Sequence, residues 1–283
     1  MNWIFYSFLG AIVFTFWNIL TKISTTLSTN RFSFILQYIF IAIIINVAIA
    51  YLLNIPLFFE RNAFASGLFG AFAVVFITNS IHFCNNSGLP LALLRTQIVY
   101  TTLANIFMFD TTFDIHKLIN ILLIVVGVCI ISFSEVSSKI VYNNWILLAI
   151  LSGVFSTLFD IYAKKANLVE DNTIYNINFN NLVSECFFVL LINLIIIRKS
   201  IFVRPTNKML FYTLLSGALY FLYTLLLMTA FNEATNVGYV KAIITSSIVF
   251  TIFLNYLLFH KTISTYSWIG ITLILMNIYC LIL

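Results

Sequence analysis

Three ionisable residues stand inside otherwise apolar stretches of this chain. Arg95 lies early in the run from Leu89 to Asp110, Lys241 lies near the start of Tyr239 to His260, and Glu185 falls near mid-run between Ile174 and Ile197. A charge at the centre of a bilayer-spanning helix costs at least ~2.5 kcal/mol on insertion scales, so such a group faces a bundle interior or a wet cavity. An arginine stays charged and needs an anion, carbonyl groups or water beside it. Two cations and a carboxylate can serve in two ways. They can form a permanent structural ion pair, with Glu185 against Arg95 or Lys241. Alternatively, the cations attract a carboxylate or phosphate on a solute. Glu185 then pairs with them in the empty state or carries a coupling proton.

Uncharged polar residues follow the same runs at helical spacing. Asn178, Asn181 and Glu185 share one helix face, as do Asn79, His82 and Asn86. Ser216, Tyr220 and Tyr223 occupy one run; Arg95, Gln97 and Tyr100 another; Lys241, Thr245 and Ser246 a third. Thr15 and Asn18, and Ser156 and Asp160, complete the set. Substrate-contacting residues are therefore expected among Arg95, Lys241 and Glu185, with Asn18, Asn79, Gln97, Asn181, Tyr220 and Tyr223 as wall residues. Each has a plainer reading. Asn, Ser and Thr bridge helices by hydrogen bonds worth ~0.6 kcal/mol on average. Tyr220 and Tyr223 pack as ordinary aromatics, and His82 is a satisfied structural histidine near a span end. Asp160 and Lys164, four apart, form a local ion pair near the interface.

The elements that position these groups follow from composition. Of 283 residues, 62% are hydrophobic and 8% charged, with a mean hydropathy of +1.06. A soluble domain carries about 25% charged residues, so the chain is an integral, multi-pass membrane protein in a lipid bilayer. The three prolines, Pro56, Pro90 and Pro205, sit between apolar runs, which favours helices over a barrel. Ten apolar segments emerge. They run approximately from Trp3 to Thr21, Phe32 to Leu53, Ala63 to Phe83, Leu89 to Phe109, Leu118 to Ser134, Trp145 to Ala163, Ile174 to Ile197, Met209 to Phe231, Val237 to Phe259 and Tyr266 to Leu283. Short loops imply antiparallel, packed neighbours. The apolar N-terminus lacks a basic region and a cleavage site, and reads as a retained first span. The net charge of +5 is scattered over span ends. Its one cluster, Arg198, Lys199, Arg204 and Lys208, suits lipid headgroups rather than nucleic acid.

Internal repetition organises the spans. With Trp3 on Trp145, Thr15 meets Thr157, Asn18 meets Asp160 and Lys22 meets Lys164. Ile119-Asn-Ile-Leu-Leu-Ile also resembles Ile269-Gly-Ile-Thr-Leu-Ile. The expected fold is all-α, with ten transmembrane helices as two inverted five-helix repeats, 1–141 and 142–283, in one membrane domain. An odd span count makes the second copy enter upside down and places a site near the midplane between halves. Arg95 and Lys241 are then expected on opposite sides of that midplane. The lysines and arginines of the loops, taken alone, would place the termini outside.

This layout resembles the drug/metabolite transporter superfamily, in particular its EamA-type carriers. The resemblance rests on ten spans in a five-plus-five repeat and on a lysine closing the first span of each half, Lys22 and Lys164. It also rests on the junction Phe259-His-Lys-Thr-Ile-Ser leading to Trp268-Ile-Gly. The family's usual glycine–glutamate pair is His260-Lys261 here, and its common tryptophan–glycine in the first span is Phe14-Thr15. The resemblance implies cytoplasmic termini, opposite to the loop charges, and basic residues in late spans of branches that carry phosphorylated solutes.

The chain contains no G-x-S-x-G, H-E-x-x-H, phosphate-loop or C-x-x-C motif. Cys84, Cys129, Cys186 and Cys280 have no metal spacing. No catalytic residue, metal or cofactor is expected. The expected function is a secondary carrier of a small polar or anionic metabolite, working by alternating access through a central cavity, with a proton as possible coupling ion. The alternatives are a non-transporting membrane scaffold and an intramembrane lipid-modifying enzyme, for which a nucleophile or metal cluster is missing.

Overall fold

In hydrocarbon a backbone must satisfy its own polar groups, and a run of about 20 apolar residues does so as a helix. The computed structural model describes residues 2–27, 31–83, 88–112, 114–134, 144–197, 207–259 and 263–283. Helices and turns, and no strand, occur among these residues. The helices are α1 (Asn2–Leu27), α2 (Arg31–Leu52), α3 (Arg61–Phe83), α4 (Gly88–Arg95), α5 (Gln97–Met108) and α6 (Ile115–Ser134). They continue with α7 (Trp145–Asn167), α8 (Ile174–Ile192), α9 (Asn207–Glu233), α10 (Val237–Ile244), α11 (Ser247–Phe259) and α12 (Thr265–Ile282). A π-helical turn, Asn193–Ile197, prolongs α8.

Ten candidate membrane spans result, with ends within a few residues of those read from the sequence. The fourth and ninth are each two helices, α4–α5 and α10–α11, where the sequence reading placed one. The side chains of Lys22 and His82, residues Cys84 to Ser87, the basic residues Arg198, Lys199 and Arg204, and the His260-Lys261 junction lie outside the described residues.

Polar residues at span starts act as caps. Thr173 accepts from the Asn176 amide, Asn236 from Gly238 and Ser264 from Ser267, so α8, α10 and α12 each begin on a satisfied donor. The left-handed residues Asn54 and Asp110 (φ 52° and 49°) follow the ends of α2 and α5, where short polar side chains tolerate that conformation.

Chain neighbours are not the main packing partners. The most extensive contacts join the two halves of the sequence: α3 lies on α7 and α8, α6 on α12, and α1 on α9. Side-chain hydroxyls lock the α3–α7 crossing, since Ser66 donates to Phe159 O (2.9 Å), Ser152 to Ala73 O (2.8 Å) and Ser80 to Trp145 O (2.6 Å). Asparagines of α8 tie it to the first half. Asn176 and Asn180 hold the backbone of Phe58 and Glu60, and Asn178 donates to Asn46 at 3.2 Å. Asn178 is thus a helix-bridging residue rather than part of a lining stripe.

The α6–α12 crossing has its own requirement. A Cβ on Gly127 would lie 2.8 Å from Gly270 O, and one on Gly270 would lie 2.6 Å from Gly127 O. Gly127→Val or Gly270→Val should therefore destabilise the protein by about 1–3 kcal/mol through overpacking, read as a lower melting temperature in detergent. Gly10→Ala should be tolerated, because the nearest atom to its added carbon is Leu226 Cβ at 3.9 Å.

Candidate functional site

The two helix breaks have the same local cause. Thr96 donates its hydroxyl to Leu93 O (2.6 Å), and its amide reaches the same carbonyl. Thr245 donates its hydroxyl to Lys241 O (3.0 Å), and the Ser246 amide bonds Ile243 O three residues back. Hydroxyl back-bonding and three-residue bonds tighten and bend a helix. Arg95 ends α4, and Lys241 lies in the last turn of α10, where the helix dipole favours cations. A signal for these breaks was present in the sequence, as Thr96-Gln97 and Thr245-Ser246-Ser247 in mid-span.

Lys241 finds its counter-ion on α7. Its Nζ is 2.8 Å from Asp160 Oδ1, and both side chains are buried. Thr101 of α5 donates to the other carboxylate oxygen (3.3 Å). Phe159 and Phe231 present their rings to the ammonium at 5.5 and 5.6 Å, an arrangement that stabilises a desolvated cation. The partner of Lys241 is therefore Asp160 and not Glu185. Asp160 in turn does not pair with Lys164. That lysine donates to Phe231 O (2.7 Å) and Ala234 O (2.8 Å) at the end of α9, where unsatisfied helix carbonyls attract a cation.

Arg95 is buried, at 7% exposure, with no counter-ion among the described residues. Its guanidinium carbon lies 5.3 Å from the centre of the Phe14 ring, and its Nε has no hydrogen-bond partner. Arg95 and Lys241 are within electrostatic reach of each other and of Tyr223. The two cations thus share one region.

Glu185 accepts a hydrogen bond from the Tyr220 hydroxyl (2.7 Å), while its Oε1 is unpartnered. Neither cation forms an ion pair with it among the described residues. Between Glu185 and Arg95 runs a band of rings. Tyr38 meets Tyr220 at 5.0 Å, Trp17 meets Tyr220 at 5.2 Å, and Phe14 meets Tyr223 at 4.7 Å. Phe14 and Trp17, one turn apart on α1, face Tyr220 and Tyr223, one turn apart on α9. Sequence reasoning missed Phe14, Trp17 and Tyr38, because aromatic residues are too common here to stand out.

The remaining expected residues divide. Gln97 and Asn181 are buried, each with an unpartnered side-chain oxygen. Asn79 donates back to its own helix at Val75 O (3.0 Å), and Asn18 is half-buried. Trp17 Nε1, Ser216 Oγ and Ser246 Oγ are also buried without partners. Native interiors leave few polar atoms unpaired, so each of these atoms has capacity left for a hydrogen bond.

Removing the carboxylate should expose the cost of the bare lysine. Asp160→Asn is expected to destabilise by about 3–5 kcal/mol, as for a broken buried pair. Asp160→Asn combined with Lys241→Met should recover much of that loss. A double-mutant cycle of melting temperatures in detergent measures both.

The shape recurs among known proteins. Across all solved structures 28 chains match. One, described only as a crystal structure of a protein, superposes with a TM-score of 0.83 at 10% identity, covering 100% of this chain and 99% of its own. No curated protein matches the sequence. Residues 143–283 match the EamA-like transporter family. On that match, with ten helices long and apolar enough to cross a membrane, the chain belongs to the EamA-like transporters of the drug/metabolite transporter superfamily.

Proposed function

We propose that this protein is a secondary-active carrier that moves a small polar or anionic metabolite by alternating access. The observation that carries the reading is the pair of broken helices in the fourth and ninth spans. Discontinuous helices at corresponding places in two halves are the usual mark of a transporter's binding site. Here they deliver Arg95 and the Lys241–Asp160 pair to one aromatic-walled region.

The two halves, 1–141 and 142–283, act as inverted repeats that rock about that region. Several contacts support this. Helix pairs exchange between halves, α1 with α9 and α7 with α3. Thr15 reaches the α10–α11 break through Ser247 O (3.2 Å), and its counterpart Thr157 meets Thr101 beyond the α4–α5 break (3.3 Å). Gly127 and Gly270 touch reciprocally, at a separation in the chain within one residue of that between Trp3 and Trp145. The alignment of Ile119 with Ile269 is out of step with that register.

In this mechanism Arg95 holds the charge of the solute, while Lys241 stays paired with Asp160 beside it and keeps α10 in place at the site. Gln97, Asn181, Tyr220 and Tyr223 line the wall. Glu185 carries the coupling proton: a buried carboxylate without a cation is costly as an anion, and Tyr220 gives it a hydrogen-bonded neighbour. A lipid-modifying enzyme finds no support in this arrangement, and a scaffold would not need the unpaired cation.

Purified protein in liposomes should show saturable counterflow of at least one solute from a panel of labelled carboxylates, amino acids and phosphate esters. Arg95→Ala or Lys241→Ala should slow it at least about ten-fold, the factor for losing ~1.4 kcal/mol, while the variants still insert and elute as single species. Unchanged rates would remove both residues from the site. Glu185→Gln should abolish acceleration by an imposed pH gradient and leave solute exchange intact; a variant that still responds to the gradient would exclude Glu185 as the proton carrier.

A further inference from the structure

We infer that the ligand of the central site is a monoanion with a planar or apolar body, of the monocarboxylate class, held by Arg95 against the rings of Phe14, Trp17 and Tyr223. The inference rests on the carrier reading for its setting, and on charge and shape for its content.

Charge comes first. Two cations stand in the site, and one is already answered, since Lys241 holds Asp160 at 2.8 Å with Thr101 on the other oxygen. That leaves one positive charge, on Arg95, without a counter-ion among the described residues. A ligand bearing one negative charge neutralises it. A phosphate dianion would need a second free cation. It could obtain one only by drawing Lys241 away and leaving Asp160 bare in a buried position, which is costly. Glu185 offers no help to an anion, being an acceptor for Tyr220.

Shape comes second. The guanidinium presents a planar fork that matches a carboxylate with two parallel hydrogen bonds. Rings surround it. Phe14 sits 5.3 Å from the guanidinium carbon, and Tyr223 meets Phe14 at 4.7 Å. Trp17 lies nearly parallel to Tyr223, at 7° and 6.4 Å between centres. A fully hydrated small anion would gain nothing from such walls, whereas a flat hydrocarbon body would. Trp17 Nε1, buried and unpartnered, can donate to one polar substituent on that body.

The experiment is a thermal-stability and tryptophan-fluorescence titration of the purified full chain. The probes are phenylacetate, its neutral isostere phenylacetamide, acetate, and the dianion phenyl phosphate. Ligands that bind the folded state raise its apparent stability. Phenylacetate should stabilise most, and Arg95→Gln should weaken its binding at least ten-fold. Arg95→Lys, which keeps the charge and loses the fork, should fall between and guards against a folding defect in Arg95→Gln. Phe14→Leu should weaken phenylacetate more than acetate. Equal effects of phenylacetate and phenylacetamide, a stronger effect of phenyl phosphate, or no effect of any probe would each overturn the proposal. Counterflow in liposomes judges the carrier reading separately, since a solute of another charge class would preserve transport and sink only the monoanion assignment.

Discussion

The buried ion pair between Lys241 and Asp160 is the interaction on which the centre of this molecule depends. A lysine in the ninth span cannot remain charged at that depth without a counter-ion, and the carboxylate on α7 supplies one at 2.8 Å. The pair fixes α10 against α7. Because α7 also packs on α3, α4 and α5, it thereby sets where both broken spans meet. Thr101 and the rings of Phe159 and Phe231 complete the surroundings of the pair. A buried pair brings little net stability over apolar packing, so its value here is in placing charge rather than in strengthening the fold.

Broken helices make that placement useful. An unbroken span would present only side chains, spread along one face. With α4 ending at Arg95 and α10 just beyond Lys241, where the back-bonding threonines follow, each charge lies in the last turn of a short helix. Lys164 works at the edge of this arrangement. It ties the end of α7 to the last carbonyls of α9, next to the start of α10.

The site is chemically lopsided. On one side Arg95 stands unpaired among Phe14, Trp17 and Tyr223. On the other Glu185 accepts from Tyr220, whose ring meets Tyr38, and has one oxygen unused. The aromatic band separates the free cation from the free carboxylate, so they do not quench each other. In the proposed mechanism that separation leaves both groups available, one to attract an anion and the other to bind and release a proton.

Much of this was legible from residue types. Ten membrane spans and a buried set that includes Arg95, Lys241, Glu185, Tyr220 and Tyr223 follow from hydropathy and helical spacing, because lipid penalises every exposed charge and every unpaired backbone group. Pairing was not legible. Asp160 looked like a partner for Lys164, four residues away, and Glu185 looked like a partner for the cations. Spacing along one helix reports only which groups share a face, whereas Lys241 and Asp160 meet across two helices far apart in the chain. The breaks at Thr96 and Thr245 were signalled by hydroxyl residues in mid-span but not decided by them: a hydroxyl can serve its own backbone or a neighbouring helix, and only packing chooses. Sequence thus determined which groups must turn inward; the tertiary structure alone decided which of them neutralise one another and which stay free.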